Sequence, residues 1–146
     1  MHHKYWVTNP ENVDVSLLRA VARRSPCKVI KFAATDGVSI FSYNGQYYAE
    51  CEGCKRTEIE QRNPECKANH AEWMVLSHKP ESLFVYCMTP DGEDYPFERF
   101  WCMTCAILIP LFHVREVWMW NGMGWVFHAP NLLVDEVENR GVAQLG

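Results

Sequence analysis

A chain of 146 residues has the length of one domain and can bury a core without help from disulfides. Its formal charge of −4 argues against a protein that coats nucleic acid by electrostatics, and no apolar run reaches membrane-spanning length. The opening Met1-His2-His3-Lys4-Tyr5-Trp6 has no secretory pattern, so a cytoplasmic protein is expected, its seven cysteines serving as thiols and metal ligands rather than disulfides.

In chain order, Asn12 or Asp14 caps a helix whose apolar positions Val13, Leu17, Leu18, Val21 and Ala22 recur at helical spacing, until Ser25-Pro26 ends it. Residues 28–35 read as a strand, Asp36-Gly37 as a hairpin signal and residues 38–42 as the returning strand. Tyr43-Asn44-Gly45 closes this hairpin, and Asn44-Gly45 suits a turn. Residues 46–69 are polar, carry Cys51, Cys54 and Cys66, and read as an inserted loop. A short helix over 71–77 follows, broken by Lys79-Pro80, then a strand over 83–88 and a loop from Thr89. Residues 102–112 have helical periodicity, interrupted by Pro110. Strands at 114–120 and 125–127 flank the turn at 121–124. Asn131 is expected to cap a last helix that stops at Gly141, with a short strand over 142–145. Alternation of helices and strands predicts a central sheet between helical layers, in one domain over 1–146.

Chemistry concentrates between His70 and Cys105. One histidine and the Cys102-x-x-Cys105 pair supply three zinc ligands, which leaves a fourth tetrahedral position open, the plan of a catalytic zinc. Glu72 follows His70 by two residues, in the first turn of a helix. A carboxylate there lies close to the metal but free of it, placed to move protons. Zinc deaminases of nucleobases carry His-x-Glu followed by Pro-Cys-x-x-Cys. Here Trp101 stands where that pattern has proline.

Taken together, Ser25-Pro26-Cys27, Tyr43-Asn44-Gly45, His70-Ala71-Glu72 and Cys102-x-x-Cys105, in that order, resemble the deoxycytidylate deaminase family of the cytidine deaminase-like superfamily over roughly residues 13–120. The resemblance implies a three-layer α/β/α cytidine deaminase-like fold with a central mixed sheet, often assembled as a hexamer, that hydrolyses dCMP to dUMP and ammonia. It implies that His70, Cys102 and Cys105 hold the catalytic zinc, that Glu72 shuttles protons, and that Asn44 hydrogen-bonds the substrate sugar. Family members of this type often hold a structural zinc too, for which Cys27, Cys51, Cys54 and Cys66 are available as a closed four-cysteine set. The partner implied is a small nucleotide, with no stable nucleic-acid partner, no membrane, and further copies of the chain. Besides Trp101, the sequence departs from the family at Met74, where the pattern has asparagine, and at residues 91–100, which read as an insertion beside the site.

Two other readings use the same residues. Cys51, Cys54, Cys66 and His70 have the spacing of a zinc finger, which would make the protein a non-enzymatic binding module. Alternatively, the same deaminase centre acts on a base in RNA or single-stranded DNA, with tryptophans as stacking surfaces. His78, His113 and His128 have no partner pattern and read as ordinary histidines; Trp118, Trp120 and Trp125 read as core and sheet-edge aromatics.

Overall fold

The computed structural model describes residues 7–47, 69–96, 100 and 102–138. They form a five-stranded mixed sheet with helices on both faces, the three-layer α/β/α arrangement. The elements are α1 (Val15–Ala22), β1 (Lys31–Thr35), β2 (Phe41–Tyr43), α2 (Ala71–Ser77), β3 (Ser82–Met88), α3 (Met103–Leu111), β4 (Glu116–Trp120) and β5 (Trp125–His128). A further helix, α4, covers 133–138. The sheet order is β2-β1-β3-β4-β5, with β3 and β4 parallel and the other neighbours antiparallel.

β3 lies at the centre, and all seven of its residues are buried. Because successive side chains point to opposite faces, Leu83, Val85 and Cys87 enter one core with α2, α3, Leu133 and Val137. Phe84, Tyr86 and Met88 enter the other, with Val13, Leu18 and Ala22. Each fully buried large apolar side chain is worth roughly 1.5–3 kcal/mol, so a strand apolar on both faces fixes which helices lie above and below it. Trp118 belongs to the α1-side core, while Trp120 and Trp125 pack against it at the sheet edge, as core and edge aromatics do.

Capping selects α1. The Asp14 side chain accepts from Leu17 N at 3.3 Å, so Asp14 rather than Asn12 is the N-cap. Three strands are shorter than the sequence predicts: β4 starts at Glu116, not at 114, with the Arg115 and Glu116 amides both donating to Glu81 O at 2.8 and 3.1 Å, and β1 and β2 also start late. β1 starts at Lys31, not at 28, because the Ile30 carbonyl accepts from Asn44 Nδ2 at 3.1 Å and Phe32 N donates to Asn44 Oδ1 at 2.8 Å. β2 starts at Phe41, not at 38, because Asp36 Oδ1 accepts from the backbone of Val38, Ser39 and Ile40 at 2.9, 2.9 and 3.1 Å. The hairpin loop is therefore a wide Asx-type turn rather than a tight two-residue one.

Pro110 is tolerated because it falls in the last turn of α3, where a missing N–H costs one bond before the chain leaves the helix at Phe112. Asn131 does not cap the last helix: it sits inside a 3₁₀ turn over Pro130–Leu132, which Ala129 precedes and which runs straight into α4. Pro130 opens that turn, a position where a missing N–H loses nothing. Gly141 and the strand expected over 142–145 lie outside the described residues.

The loop expected after β3 is partly a ladder. Gly92 N bonds Thr89 O at 3.0 Å, Met88 and Asp94 form a bridge, and Tyr95 N donates to Cys87 O at 2.9 Å. The segment that reads as an insertion thus turns back along the end of β3 before the chain reaches buried Phe100 and α3.

Candidate metal centre

Two helix starts build the centre. His70 immediately precedes α2 in extended conformation and uses no side-chain bond to cap it, so its ring is free to turn inward. Cys102 precedes α3 in the same way, and Cys105 follows one turn later on the same side of the helix. His70 Nδ1 lies 3.4 Å from Cys102 Sγ and 3.4 Å from Cys105 Sγ. One donor atom from each of the three residues lies within 4.8 Å of the other two.

This donor set fits a metal ion. Tetrahedral zinc, with bonds of about 2.3 Å to sulfur and about 2.0 Å to nitrogen, holds neighbouring donors about 3.5 Å apart. Two thiols and an imidazole are also the soft and borderline donors that suit zinc, and three of them leave a coordination position open. The protonation pattern agrees. The Cys105 thiol hydrogen-bonds Cys102 and, with His70, holds Cys102 down to about 4 against the opposing effect of burial. The same bond, added to burial, pushes Cys105 well up. Burial acts to lower His70, but the bond to Cys102 and the charges of Glu72 and Cys102 outweigh it, and the net direction is up. One thiolate is therefore formed by the fold itself, and a dication would displace the remaining protons.

Glu72 sits in the first turn of α2 and is 4% exposed. Burial pushes its carboxyl above the ordinary carboxylate range, with His70 opposing and Cys102 adding to the rise. Its interactions with the charges of His70 and Cys102 place it beside the donor set. Cys87, expected to be packing, is fully buried on β3, where burial first and then the charges of Glu72 and Cys27 push its thiol well up.

Asn44 lies where the sequence reading puts it, at the turn after β2, but its amide is already engaged with β1 through Ile30 and Phe32. The turn is joined to the metal centre by backbone: Gly45 N donates to Asn69 O at 2.8 Å, and Asn69 is the residue before His70. Cys27 is half-buried against the α2–α3 core and outside the three-residue donor group. Cys51, Cys54 and Cys66 lie outside the described residues, and so does Trp101. Among the described residues, His70, Cys102 and Cys105 are the group that can hold a metal ion. His128, expected to be an ordinary histidine, pairs its Nδ1 with Glu136 at 2.8 Å.

Sequence reasoning passed over two residues, one at the centre and one bonded to the α1 side of the sheet. Trp73 stacks on His70, with ring centroids 4.3 Å apart. Its signal was an aromatic three positions beyond a candidate ligand, the spacing of neighbours on a helix. Asp94 collects hydrogen bonds from Arg19, Tyr86 and Trp120, and nothing in its local sequence signals this. No helix among the described residues is long and apolar enough to cross a membrane. Comparison with protein-family models, with curated proteins and with solved structures finds no match.

Proposed function

We propose that this protein is a zinc-dependent hydrolytic deaminase of a cytosine nucleotide, dCMP before others, and a divergent member of the deoxycytidylate deaminase family. One observation carries the reading: the convergence of His70, Cys102 and Cys105 with a buried carboxyl, Glu72, against them. A closed structural site has four protein ligands and no need of a buried acid beside it; an open one needs both features found here.

Zinc at this centre would supply Lewis acidity at the open position, which makes water reactive near neutral pH. Glu72 accepts the proton from the attacking water and passes it to cytosine N3. The C4–O bond forms. Glu72 then takes the proton of the new C4 hydroxyl and delivers it to the amine as the C4–N bond breaks, giving ammonia and uracil. The sugar contact implied for Asn44 would use what its amide has left, one hydrogen and one acceptor site.

The zinc-finger reading requires His70 as a ligand with Cys51, Cys54 and Cys66. The placement of its Nδ1 at 3.4 Å from both thiols of the other pair favours the open centre. The deciding experiment measures ammonia release from dCMP, CMP, deoxycytidine and a cytosine-containing oligonucleotide. Turnover of dCMP above the others supports the reading. Turnover of the oligonucleotide alone moves the substrate to polynucleotides, and none with any substrate, in protein of full zinc content, overturns it.

A further inference from the structure

His70 and Trp73 stand three residues apart across the first turn of α2. The backbone at His70 has φ −78° and ψ 145°, and its carbonyl accepts from Trp73 N at 3.2 Å. The rings lie face to face, with centroids 4.3 Å apart and planes 13° from parallel. Helical spacing makes these side chains neighbours; it does not by itself lay one ring flat on the other.

For Nδ1 to stand 3.4 Å from both sulfurs, the imidazole plane must be fixed as well as its position. In metal centres the usual lock is a hydrogen bond from the other ring nitrogen to a carboxylate, carbonyl or water. Among the described residues the hydrogen bonds of the His70 ring are those of Nδ1. Turning the ring about its bond to Cβ would tilt it out of parallel and drive an edge into the indole. A ring that donates to a dication becomes electron-poor, and the negative face of an indole is a favourable neighbour for it.

The burial of Trp73 does not explain its place. It is 39% exposed, whereas α2 meets the core through Ala71, Glu72, Val75 and Leu76. A large aromatic half in water, laid flat against a candidate ligand, is placed for that ligand rather than for packing.

We propose that Trp73 is the positioning residue of the metal centre: its indole holds the His70 imidazole in the plane that aims Nδ1 between the two thiols. This rests on the reading of His70, Cys102 and Cys105 as metal ligands.

The test is a cobalt(II) titration of the whole protein after chelation. It is followed by visible absorption and by competition with a chromophoric chelator, taking the cobalt that is lost in Cys105→Ser as the signal. Trp73→Leu is expected to weaken that binding by about tenfold or more, the lower end of what outer residues of metal centres contribute. It should also alter the absorption band, as a looser histidine changes the ligand field. Trp73→Phe, which keeps a flat ring, should restore most of the affinity and the band. The metal-free variants should melt together, since the exposed indole carries little of the core. Equal affinity and an unchanged spectrum in Trp73→Leu would overturn the positioning role and leave the metal centre standing. A metal-free Trp73→Leu that melts well below wild type, with no recovery in Trp73→Phe, would make the residue structural. If wild type binds no Cys105-dependent cobalt, the metal reading falls and this one with it.

Discussion

Arg19 grips Asp94 in a two-bond fork across 75 residues of sequence, Nε to Oδ1 at 3.0 Å and a terminal guanidinium nitrogen to Oδ2 at 2.7 Å. The same carboxylate accepts from the Tyr86 hydroxyl and from Trp120 Nε1, so four donors fill the roughly four lone-pair sites of its two oxygens. α1, β3 and β4 are thereby tied to the segment that leads from β3 towards Cys102. Asp94→Asn turns part of this acceptor into a donor facing donors. The expected loss is roughly 1.5–3 kcal/mol, the usual worth of a hydrogen bond to a charged group, read as a lower denaturant midpoint.

The same site has a pH signature. The bonds from Arg19, against the opposing effect of burial, hold Asp94 down to about 2 from an ordinary 3.8. A carboxyl lowered in the folded state binds protons less readily than in the unfolded chain, so it adds stability that is complete above about 3.8 and disappears as pH falls towards 2. The gap in melting temperature between wild type and Asp94→Asn should therefore be constant above pH 5 and narrow steadily below 4. A gap that is flat down to pH 2 would show that Asp94 is not an ionised partner of Arg19.

Glu72→Gln separates chemistry from metal binding. It keeps the size of the side chain and removes the proton acceptor. Turnover of dCMP should fall by about 10²–10⁴-fold, the range for a general acid–base group. Metal content and melting temperature should stay near wild type. Activity retained within tenfold, with zinc in place, would remove Glu72 from the mechanism.

For Asn44 the structure changes what a substitution is expected to do. Asn44→Asp would suit a turn, but here it sets an oxygen against the Ile30 carbonyl where Nδ2 now donates at 3.1 Å. A loss of about 1–3 kcal/mol follows from a half-buried acceptor facing another acceptor. Thermal melting without substrate reads that effect. A fall in kcat/KM at temperatures where the variant remains folded would add a contact with substrate to the structural role.

Elemental analysis of wild type, Cys102→Ala and Cys51→Ala tests the metal count. The open centre predicts one ion lost in Cys102→Ala. A structural site at Cys27, Cys51, Cys54 and Cys66 predicts a second, lost in Cys51→Ala alone. A wild-type content of one ion only, which survives Cys102→Ala and Cys105→Ala together but disappears in Cys51→Ala, would favour the finger.

The order of elements along the chain and the donor group were legible because both rest on local signals: apolar runs, helix-starting residues and the spacing of His, Glu and Cys. The strand ends were not. Asp36 and Asn44 each take backbone hydrogen bonds that β-propensity assigns to strand neighbours, and the outcome depends on side-chain geometry rather than residue type. The Asp94 cluster was hidden for another reason. Its partners, Arg19, Tyr86 and Trp120, lie on three separate elements, and only the folded sheet brings them to one carboxylate. Trp73 was visible as a neighbour of His70, but whether two such rings stack is decided by rotamers that spacing does not encode.

β3 has a consequence for how the molecule opens. It is paired on both edges and buried on both faces, so its central amides, such as those of Phe84 and Val85, should exchange with solvent deuterium only when the whole domain unfolds. β2 is three residues long, at the sheet margin, with one neighbour, and its amides should exchange through small local openings. Glu72 lies close enough to Cys87 of β3 to raise its thiol, while the turn of Asn44 hangs from the end of β2. Glu72 thus sits beside the slowest-exchanging strand, and the Asn44 turn at the end of an edge strand, so the two flank the donor group from parts of the sheet that open on different timescales.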